Sequence, residues 1–257
     1  MTGSHCENCF KGVRHEGTPE GHLEQFADVE CYVSVPGEEY APNQVVLFLT
    51  DVFGSDLELQ NNKLLVDDFA RNGFYTVMPD MFEGDPVPAD ALDTVTHRLN
   101  PSFDRERWFA AHSPEKVLPI VERVVKALQA RGITKIAATG YCFGARPTFD
   151  LAMRNYISAS AITHPGRIAY PADLEKYAST STAPLLINSC EVDPAFPDEA
   201  CKMADEIFLR FVSGYRREWF AGCRHGFAVR GDINDAKVKE GKEGAFRACV
   251  EWFKEKL

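Results

Sequence analysis

Short apolar segments of strand length alternate with longer segments of helical periodicity through most of this sequence. Gln44–Thr50, Lys135–Tyr141 and Ile157–Thr163 are apolar runs typical of buried strands. Leu57–Arg71 and Ala236–Lys254 instead repeat apolar residues at helical spacing. This alternation predicts an α/β fold, with a mostly parallel sheet of about seven to eight strands and helices on both faces. Ligands bind beyond the carboxyl ends of the strands in such sheets, so reactive residues are expected directly after strands.

The rest of the chain continues the alternation, with no internal repeat and no long linker. The remaining predicted strands are Val29–Val35, Phe74–Met78, Pro184–Ser189 and Tyr215–Phe220. The remaining predicted helices begin at Ser113 or span Gly144–Asn155 and Pro197–Phe211. Pro119 predicts a kink or a later start in the first of these helices. The interpretation is a single domain over residues 29–257, preceded by an N-terminal arm over residues 1–28.

Charge and hydropathy exclude several classes of partner. The 257 residues carry 28 Lys and Arg against 38 Asp and Glu, a net charge of −10, which disfavours nucleic acid and anionic membranes. The longest purely apolar run, Val45–Leu49, is far too short to span a membrane. The first residues lack a basic start followed by an apolar stretch, so the eight cysteines are expected to be thiols in the cytoplasm.

The segment Gly140-Tyr141-Cys142-Phe143-Gly144 follows an apolar strand and opens a predicted helix. Its spacing is that of a nucleophile elbow, in which the reactive residue occupies a strained turn and flanking glycines avoid side-chain clashes. The turn would raise the Cys142 sulfur above the sheet at a helix N-terminus, where backbone N–H groups favour a thiolate and an oxyanion. A small buried cysteine in a glycine-rich turn is the alternative, and the position between strand and helix favours the nucleophile.

Two further candidates follow later strands. Asp193 comes after the strand that ends near Ser189, with Glu191 as the second choice, and His225 lies in a glycine-flanked loop after Tyr215–Phe220. Taken alone, a turn aspartate before proline or a surface histidine has an ordinary structural explanation. The order nucleophile, acid, histidine along successive late strands is that of α/β-hydrolases, and it predicts a Cys-His-Asp triad.

These motifs together resemble the dienelactone hydrolase family, which has the α/β-hydrolase fold. The resemblance rests on the Gly-Tyr-Cys-Phe-Gly elbow, the acid after Ser189-Cys190-Glu191-Val192 and the His225-Gly226-Phe227-Ala228 loop. It extends from about Val29 onward, and the preceding stretch with Cys6-x-x-Cys9 looks like the extension of fungal members. The resemblance implies hydrolysis of esters or lactones, with no metal or organic cofactor.

The resemblance also implies a role for each matching residue. Cys142 is the nucleophile, His225 the base and Asp193 the orienting acid. The backbone N–H groups of Val52 and Phe143 are expected to form the oxyanion hole.

The remaining correspondences concern the substrate. Asp51 occupies the position of a family glutamate that interacts with the resting thiol, and it is one methylene shorter. The family holds a substrate carboxylate with arginines, whereas Pro79–Asp85 contains none and Arg230 is displaced by one residue from the usual place. Neutral or weakly charged esters and lactones are therefore expected to be preferred. The residues predicted to bind substrate are Asp51, Phe53, Tyr141, Arg146, His164, Phe227 and Arg230.

Two rival functions stay open from the sequence: a non-hydrolytic cyclase or isomerase, and a non-catalytic ligand-binding protein on the same fold. Cys6-x-x-Cys9 with His5 or His15 has half the ligands of a zinc site, but no second cysteine pair follows, which favours a simple arm. Trp108 is a candidate cap for the pocket. The protein is expected to act on a small-molecule ester or lactone, as a monomer or homodimer, without nucleic-acid or membrane partners.

Overall fold

The structure, a computed structural model, describes residues 11–54, 60–91 and 100–257. Its strands are β1 (His22–Phe26), β2 (Val29–Ser34), β3 (Gln44–Leu49), β4 (Thr76–Pro79), β5 (Lys135–Tyr141), β6 (Ala159–Thr163), β7 (Leu185–Val192) and β8 (Tyr215–Arg224). They form one sheet in the order β1-β2-β4-β3-β5-β6-β7-β8. β2 pairs antiparallel with both of its neighbours, β1 and β4. All the other neighbouring strands of the sheet pair parallel. The predicted mostly parallel sheet is confirmed.

Helices cover both faces of this sheet. They are α1 (Asn61–Arg71), α2 (Arg105–Ala111), α3 (Pro114–Ala130), α4 (Ala145–Met153), α5 (Ala172–Thr180), α6 (Asp198–Phe208), α7 (Phe227–Arg230) and α8 (Ala236–Lys256). Buried apolar side chains of α3, α4, α5 and α6 contribute to one core, and buried apolar side chains of α1, α7 and α8 contribute to a second. No helix in the described ranges is long and apolar enough to cross a membrane.

The central strand β3 shows why its sequence is apolar throughout. Val45, Leu47 and Leu49 contribute to the core beneath α3 and α4, whereas Val46 and Phe48 contribute to the core beneath α1 and α8. Successive side chains of a strand point to opposite faces, so a strand covered on both faces must be apolar at every position. The run of five apolar residues therefore marks a central strand.

The sheet begins earlier in the chain than predicted. His22–Phe26, predicted to be part of the N-terminal arm, form β1 and pair antiparallel with β2. Of this strand only Phe26 is buried, and Leu23 is 58% exposed. The segment therefore lacks the apolar run that identifies the inner strands. Residues 11–21 lie along α1, where the Arg14 N–H donates to Asp68 Oδ2 at 2.7 Å.

Strands β7 and β8 extend further than predicted at their C-terminal ends, which directly precede Asp193 and His225. β7 continues past Ser189 to Val192, and β8 continues past Phe220 to Arg224. The pairing shifts between Cys190 and Val192, as at a β-bulge. Polar residues in these extensions interrupt the apolar pattern, so the sequence alone ends both strands too early.

The helices differ from the predictions in several places, and α2, α3 and α5 are the clearest of these. α3 begins at Pro114 and contains Pro119 in its interior, so of the two predicted alternatives the later start is wrong and the kink stays a prediction. α5 was not predicted, because only Leu174 and Tyr177 of this nine-residue helix are buried. α2 was not predicted as a helix either, and Trp108 is its one buried residue.

The N-terminal cysteine pair is not part of the described chain. Cys6 and Cys9 lie outside the described residues, so the zinc interpretation is untested. His15, a potential ligand of such a site, has its Nε2 2.9 Å from Glu243 Oε1 of α8. Among the described residues, no three His, Cys, Asp or Glu side chains are grouped as metal ligands would be.

Candidate active site

The turn around Cys142 has the geometry of a nucleophile elbow. β5 ends at Tyr141, Cys142 begins a single 3₁₀ turn, and α4 follows from Ala145. Cys142 has a positive φ of 49°, a conformation that residues other than glycine seldom adopt. Such strain persists only where the surrounding structure fixes it, so the side chain is held in one direction.

Two glycines allow this turn to form without steric clashes. A β-carbon on Gly140 would lie 2.3 Å from the carbonyl oxygen of Gly144. A β-carbon on Gly144 would lie 2.1 Å from the carbonyl oxygen of Leu49 in β3. Both clashes are with backbone atoms, so no side chain fits without moving the elbow or the strand. The glycine spacing in the sequence is thus a packing requirement of the turn.

Cys142, His225 and Asp193 form a continuous hydrogen-bonded line. His225 Nε2 lies 3.0 Å from Cys142 Sγ, and His225 Nδ1 lies 2.8 Å from Asp193 Oδ1. The three residues follow or end β5, β8 and β7, which run parallel in one half of the sheet. Parallel strands end at the same edge, and this edge brings the three predicted catalytic side chains together.

Asp193 is fixed in place by the turn that follows β7. Its side chain is 1% exposed, and Oδ1 also accepts hydrogen bonds from the N–H groups of Ala195 at 2.9 Å and Phe196 at 3.1 Å. These donors orient the carboxylate toward His225 and stabilise its charge in a buried position. Glu191, the second candidate, instead accepts a hydrogen bond from the Gly222 N–H at 2.6 Å. The geometry therefore selects Asp193 as the partner of the histidine.

His225 is held through its backbone as well as its ring. Its N–H donates to the carbonyl of Val192 at 2.9 Å, and Gly226, with a φ of 91°, turns the chain into α7. Burial alone lowers the pKa of His225, but the charge of the Cys142 thiolate and the hydrogen bonds and charge of its partners, including Asp193, raise it to about 10. The imidazole is therefore protonated at neutral pH, with its Nε2 within hydrogen-bond distance of Cys142 Sγ.

The two backbone positions predicted to form the oxyanion hole lie at this same edge. Val52 follows β3 and lines the cavity in front of Cys142. Phe143 comes directly after the nucleophile, at the start of the turn into α4, where N–H groups have no intrahelical acceptor. Their role toward an oxyanion stays a prediction.

Arg230, in the cavity lining, forms an ion pair with a buried carboxylate. Arg230 Nε donates to Asp51 Oδ2 at 2.8 Å, and the Asp51 side chain is completely buried. The other oxygen of Asp51 accepts hydrogen bonds from Asn62 Nδ2 at 3.1 Å and from the Phe53 N–H at 3.3 Å. The guanidinium of Arg230 also lies 4.7 Å from the centroid of the Phe53 ring. The position that a glutamate occupies in the resembled family therefore serves here to hold an arginine.

A cavity of about 550 Å³ opens onto Cys142 and His225, a size that suits a small organic molecule. Its apolar lining includes Val52, Phe53, Phe109, Pro194, Ala195, Phe227 and Val238. Its charged lining residues are Arg105, Arg224, Arg230, Asp232 and Asp235. A larger groove of about 730 Å³ lies between residues 11–22 and α1, and none of the predicted catalytic residues lines it.

Three residues predicted to bind substrate line the cavity, namely Phe53, Phe227 and Arg230. The other four predicted residues do not line the cavity, and their role toward a substrate stays a prediction. Asp51 is buried beneath Arg230, as described above. Arg146 points away from the cavity because it forms ion pairs with Asp150 at 2.7 Å and with Asp173 at 2.7 Å.

Tyr141 and His164 do not line the cavity. Tyr141 is packed against Phe48 of β3 with ring centroids 4.8 Å apart. His164 is fully buried, and its ring lies beside His225. Trp108, the candidate cap, is buried and donates from Nε1 to the Asp85 carbonyl at 2.9 Å. The sequence places Tyr141 and His164 next to turns, but it does not show in which direction their side chains point.

The sequence interpretation missed two cavity residues that α2 supplies. Arg105 and Phe109 are one helical turn apart, so both lie on the side of α2 that faces the cavity. The guanidinium of Arg105 lies 5.5 Å from the centroid of the Phe109 ring. A single pair of residues four positions apart does not by itself identify a helix, so the sequence alone provided no basis for placing them at the cavity.

The parallel sheet, the strained elbow and the acid and histidine after β7 and β8 define an α/β-hydrolase. The profile of the dienelactone hydrolase family matches residues 29–257, and the chain belongs to this family. It is accordingly an enzyme of the carboxylic ester or lactone hydrolase type, with a small-molecule substrate.

Relatives of similar length support this membership. The hydrolase pyvD of Aspergillus violaceofuscus is 35% identical over 97% of this chain and 96% of its own. The hydrolase tropI of Talaromyces stipitatus is 32% identical over 96% of this chain and 94% of its own. A crystal structure of the dienelactone hydrolase-like promiscuous phosphotriesterase P91, from metagenomic libraries, superposes with a TM-score of 0.63. It covers 92% of this chain and 97% of its own at 19% identity, and shares the fold.

Proposed function

We propose that the protein hydrolyses an ester or lactone through a Cys-His-Asp triad and a thioester intermediate. The observation that carries the proposal is the continuous line from Cys142 Sγ through His225 to Asp193, with distances of 3.0 and 2.8 Å, at the wall of a cavity. A thiolate that faces a cavity and has a protonated partner combines a nucleophile with a proton donor.

Acylation begins from the ion pair of the Cys142 thiolate and the His225 imidazolium. The thiolate attacks the carbonyl carbon of the substrate, and the carbonyl oxygen becomes an oxyanion held by the N–H groups of Val52 and Phe143. When the intermediate collapses, the bond to the leaving oxygen breaks, and His225 donates its proton to that oxygen. The product is a thioester on Cys142 with a neutral His225, which Asp193 keeps oriented.

Deacylation repeats these steps with water. His225 takes a proton from a water molecule as the oxygen attacks the thioester carbonyl, and the resulting oxyanion occupies the same hole. Collapse releases the carboxylic acid product and restores the thiolate beside the imidazolium.

The chemistry of the leaving group favours oxygen esters over amides. From the tetrahedral intermediate a thiolate departs more readily than an unprotonated amine, so an amide tends to revert to substrate. An enolate or phenolate departs easily, and these are the leaving groups of enol lactones and aryl esters. The ion pair between Asp51 and Arg230 further supports a substrate that is uncharged near the nucleophile, because a carboxylate of the chain itself already pairs with this arginine of the cavity lining.

The test measures hydrolysis of a panel of aryl esters and lactones by the wild type, Cys142→Ala and the control Cys31→Ala. Cys31 is a buried thiol in β2, remote from the cavity. Cys142→Ala is expected to lose at least about 10³-fold in kcat, and Cys31→Ala to keep its activity. Acid quenching and mass spectrometry of the wild type should find the acyl group on Cys142. A folded Cys142→Ala variant with full turnover contradicts the proposal.

The same panel separates the two rival functions. A cyclase or isomerase is expected to convert its substrate without releasing an acid, and a ligand-binding protein is expected to bind without turnover. No feature of the described residues favours either rival over hydrolysis. The proposal includes a cytoplasmic location, which the six free thiols in the described chain support. It also includes action as a monomer or homodimer, since one chain supplies the whole triad.

A further inference from the structure

We propose that His164 is a positioning residue that holds the imidazole of His225 in line with Cys142 and Asp193. The inference rests on the proposed function, because it concerns the geometry of the proposed base. His164 is fully buried and is not among the residues that line the cavity. Since substrate cannot reach it there, any effect of His164 on the reaction acts through its neighbours.

The backbone of His164 is fixed to the rest of the site. It follows Thr163, the last residue of β6, and has a φ of 39°, which residues other than glycine seldom adopt. Its N–H donates to the Asn188 carbonyl of β7 at 2.8 Å. Two residues later, the Gly166 N–H donates to the Cys142 carbonyl at 2.9 Å. The segment after β6 is therefore tied both to β7 and to the elbow.

The ring of His164 packs against the ring of His225. The two ring centroids lie 5.1 Å apart, with an angle of 61° between the planes. Phe227 and Tyr141 also contact the His164 ring, with centroids at 5.5 and 5.9 Å. His164 is thus held among aromatic rings, and one of those rings is the proposed base.

This contact restrains a motion that the triad hydrogen bonds leave free. Cys142 and Asp193 hold His225 through Nε2 and Nδ1, and hydrogen bonds to ring nitrogens are directed close to the plane of the ring. The ring can still tilt about the axis through its two nitrogens, and such a tilt rotates the imidazole relative to the substrate. The neighbouring ring of His164 blocks this tilt from one side.

The charge state of His164 suits the same role. Burial lowers the pKa of His164 well below 6.5, and the positive charges of His225 and Arg230 lower it further. The ring is therefore neutral while His225 is protonated, and an aromatic ring beside a cation is attractive. Within the described residues neither nitrogen of His164 has a hydrogen-bond partner. Ring packing is accordingly the interaction through which it acts.

The experiment compares His164→Ala, His164→Phe and the control Phe74→Ala with the wild type. Phe74 is a buried ring that packs on Phe69 and Phe253, away from the cavity. Each variant is assayed for kcat and KM on a neutral aryl ester, for the pH profile of kcat/KM, and for the rate of Cys142 alkylation by iodoacetamide.

His164→Ala is expected to lower kcat at least tenfold with KM changed less than twofold, and to move the alkaline limb of the profile to lower pH. His164→Phe is expected to restore kcat to within threefold of the wild type. Phe74→Ala should lower the melting temperature and leave the alkaline limb in place, so it separates positioning from general loss of stability.

Two results overturn the inference. One is a folded His164→Ala variant with the kcat and the pH profile of the wild type. The other is a His164→Phe variant as impaired as His164→Ala, which would assign the effect to the ring nitrogens. Failure of the proposed function is detected separately, because Cys142→Ala would then still turn over substrate. The rate of Cys142 alkylation needs no substrate, so it reports on the effect of His164 on His225 independently of hydrolysis.

Discussion

The guanidinium of Arg230 is held by the buried carboxylate of Asp51, with Nε and Oδ2 2.8 Å apart, on the floor of the cavity that contains the reactive thiol. A cation that is already paired contributes little binding free energy to an incoming anion. The anion loses its hydration on entering the cavity, and no unpaired cation compensates for that loss. The pair therefore limits the charge of the substrate that the inner cavity accepts. Arg105 and Arg224 also line the cavity, but both are exposed, where water screens their charges.

We expect a neutral aryl ester to be hydrolysed with a higher kcat/KM than a carboxylate-bearing dienelactone of similar size. Asp51→Asn should release Arg230 and raise kcat/KM for the anionic substrate about tenfold, with a larger gain at low salt than at high salt. Asp205→Asn is the matched control, since Asp205 pairs with Arg217 away from the cavity. A wild-type preference for the dienelactone that Arg230→Ala abolishes would contradict this prediction.

Cys142 is expected to react with iodoacetamide at least ten times faster at pH 7 than the buried cysteines. Burial raises the pKa of the Cys31 thiol to about 12 and of the Cys223 and Cys249 thiols to about 11, so these thiols are protonated as well as inaccessible. Peptide mapping after a short exposure gives the rates. His225→Gln should slow the labelling of Cys142, and equal labelling of all cysteines in the folded protein would refute the claim of an activated thiol.

Asp193→Asn should shift the alkaline limb of the pH profile of kcat/KM to lower pH. The pKa of His225 is about 10 in part because of its hydrogen bond to Asp193 and the charge of that residue. A group is protonated below its pKa, so His225 can protonate the leaving oxygen up to about pH 10 in the wild type and only to a lower pH in the variant. We also expect kcat to fall by about 10² to 10⁴-fold. An unchanged alkaline limb would show that Asp193 does not set the protonation of His225.

Lys242→Met should stabilise the protein at pH 7 by on the order of 2 kcal/mol. Lys242 is buried in α8, and burial lowers its pKa from 10.5 to about 8. Below pH 8 the folded protein therefore contains a charged ammonium in an unfavourable environment. Between pH 8 and 10.5 the folded state releases a proton that the unfolded state retains, so the wild type gains stability as the pH rises.

The measurement for Lys242→Met is urea unfolding at pH 7, 8.5 and 10. The difference between the two proteins should narrow as the pH rises, and a difference independent of pH would contradict the assigned cause. Lys239→Met, on an exposed position of the same helix, is the control and should change stability little at any pH.

The predicted site residues that the structure brings together are those whose type and spacing carry a steric or topological requirement. Gly140 and Gly144 are needed because a β-carbon at either position collides with backbone. Asp193 and His225 were found because each follows a strand, and the parallel ends of those strands meet. In both cases the residue type in the sequence and its position in the fold are determined by the same structural requirement.

The cavity wall was predicted less well, since its residues depend on the directions of side chains across turns. Arg146 looked like a cation near the elbow, but Asp150 and Asp173 turn it away, and the latter is distant in sequence. Arg105 and Phe109 reach the cavity only because α2 packs beside it. Tertiary packing of this kind leaves no periodic signal in a single sequence.

The position of β8 has a consequence for the newly made chain. β8 is the last strand in sequence and the outer strand of the sheet, with β7 as its partner, and it delivers His225 to the site. Until β8 docks, His225 is not beside Cys142, and the thiol lacks the imidazole that accepts its proton. A chain emerging from the ribosome would therefore complete its sheet before it acquired a reactive sulfur, and recovery of activity on refolding would report the docking of this final strand.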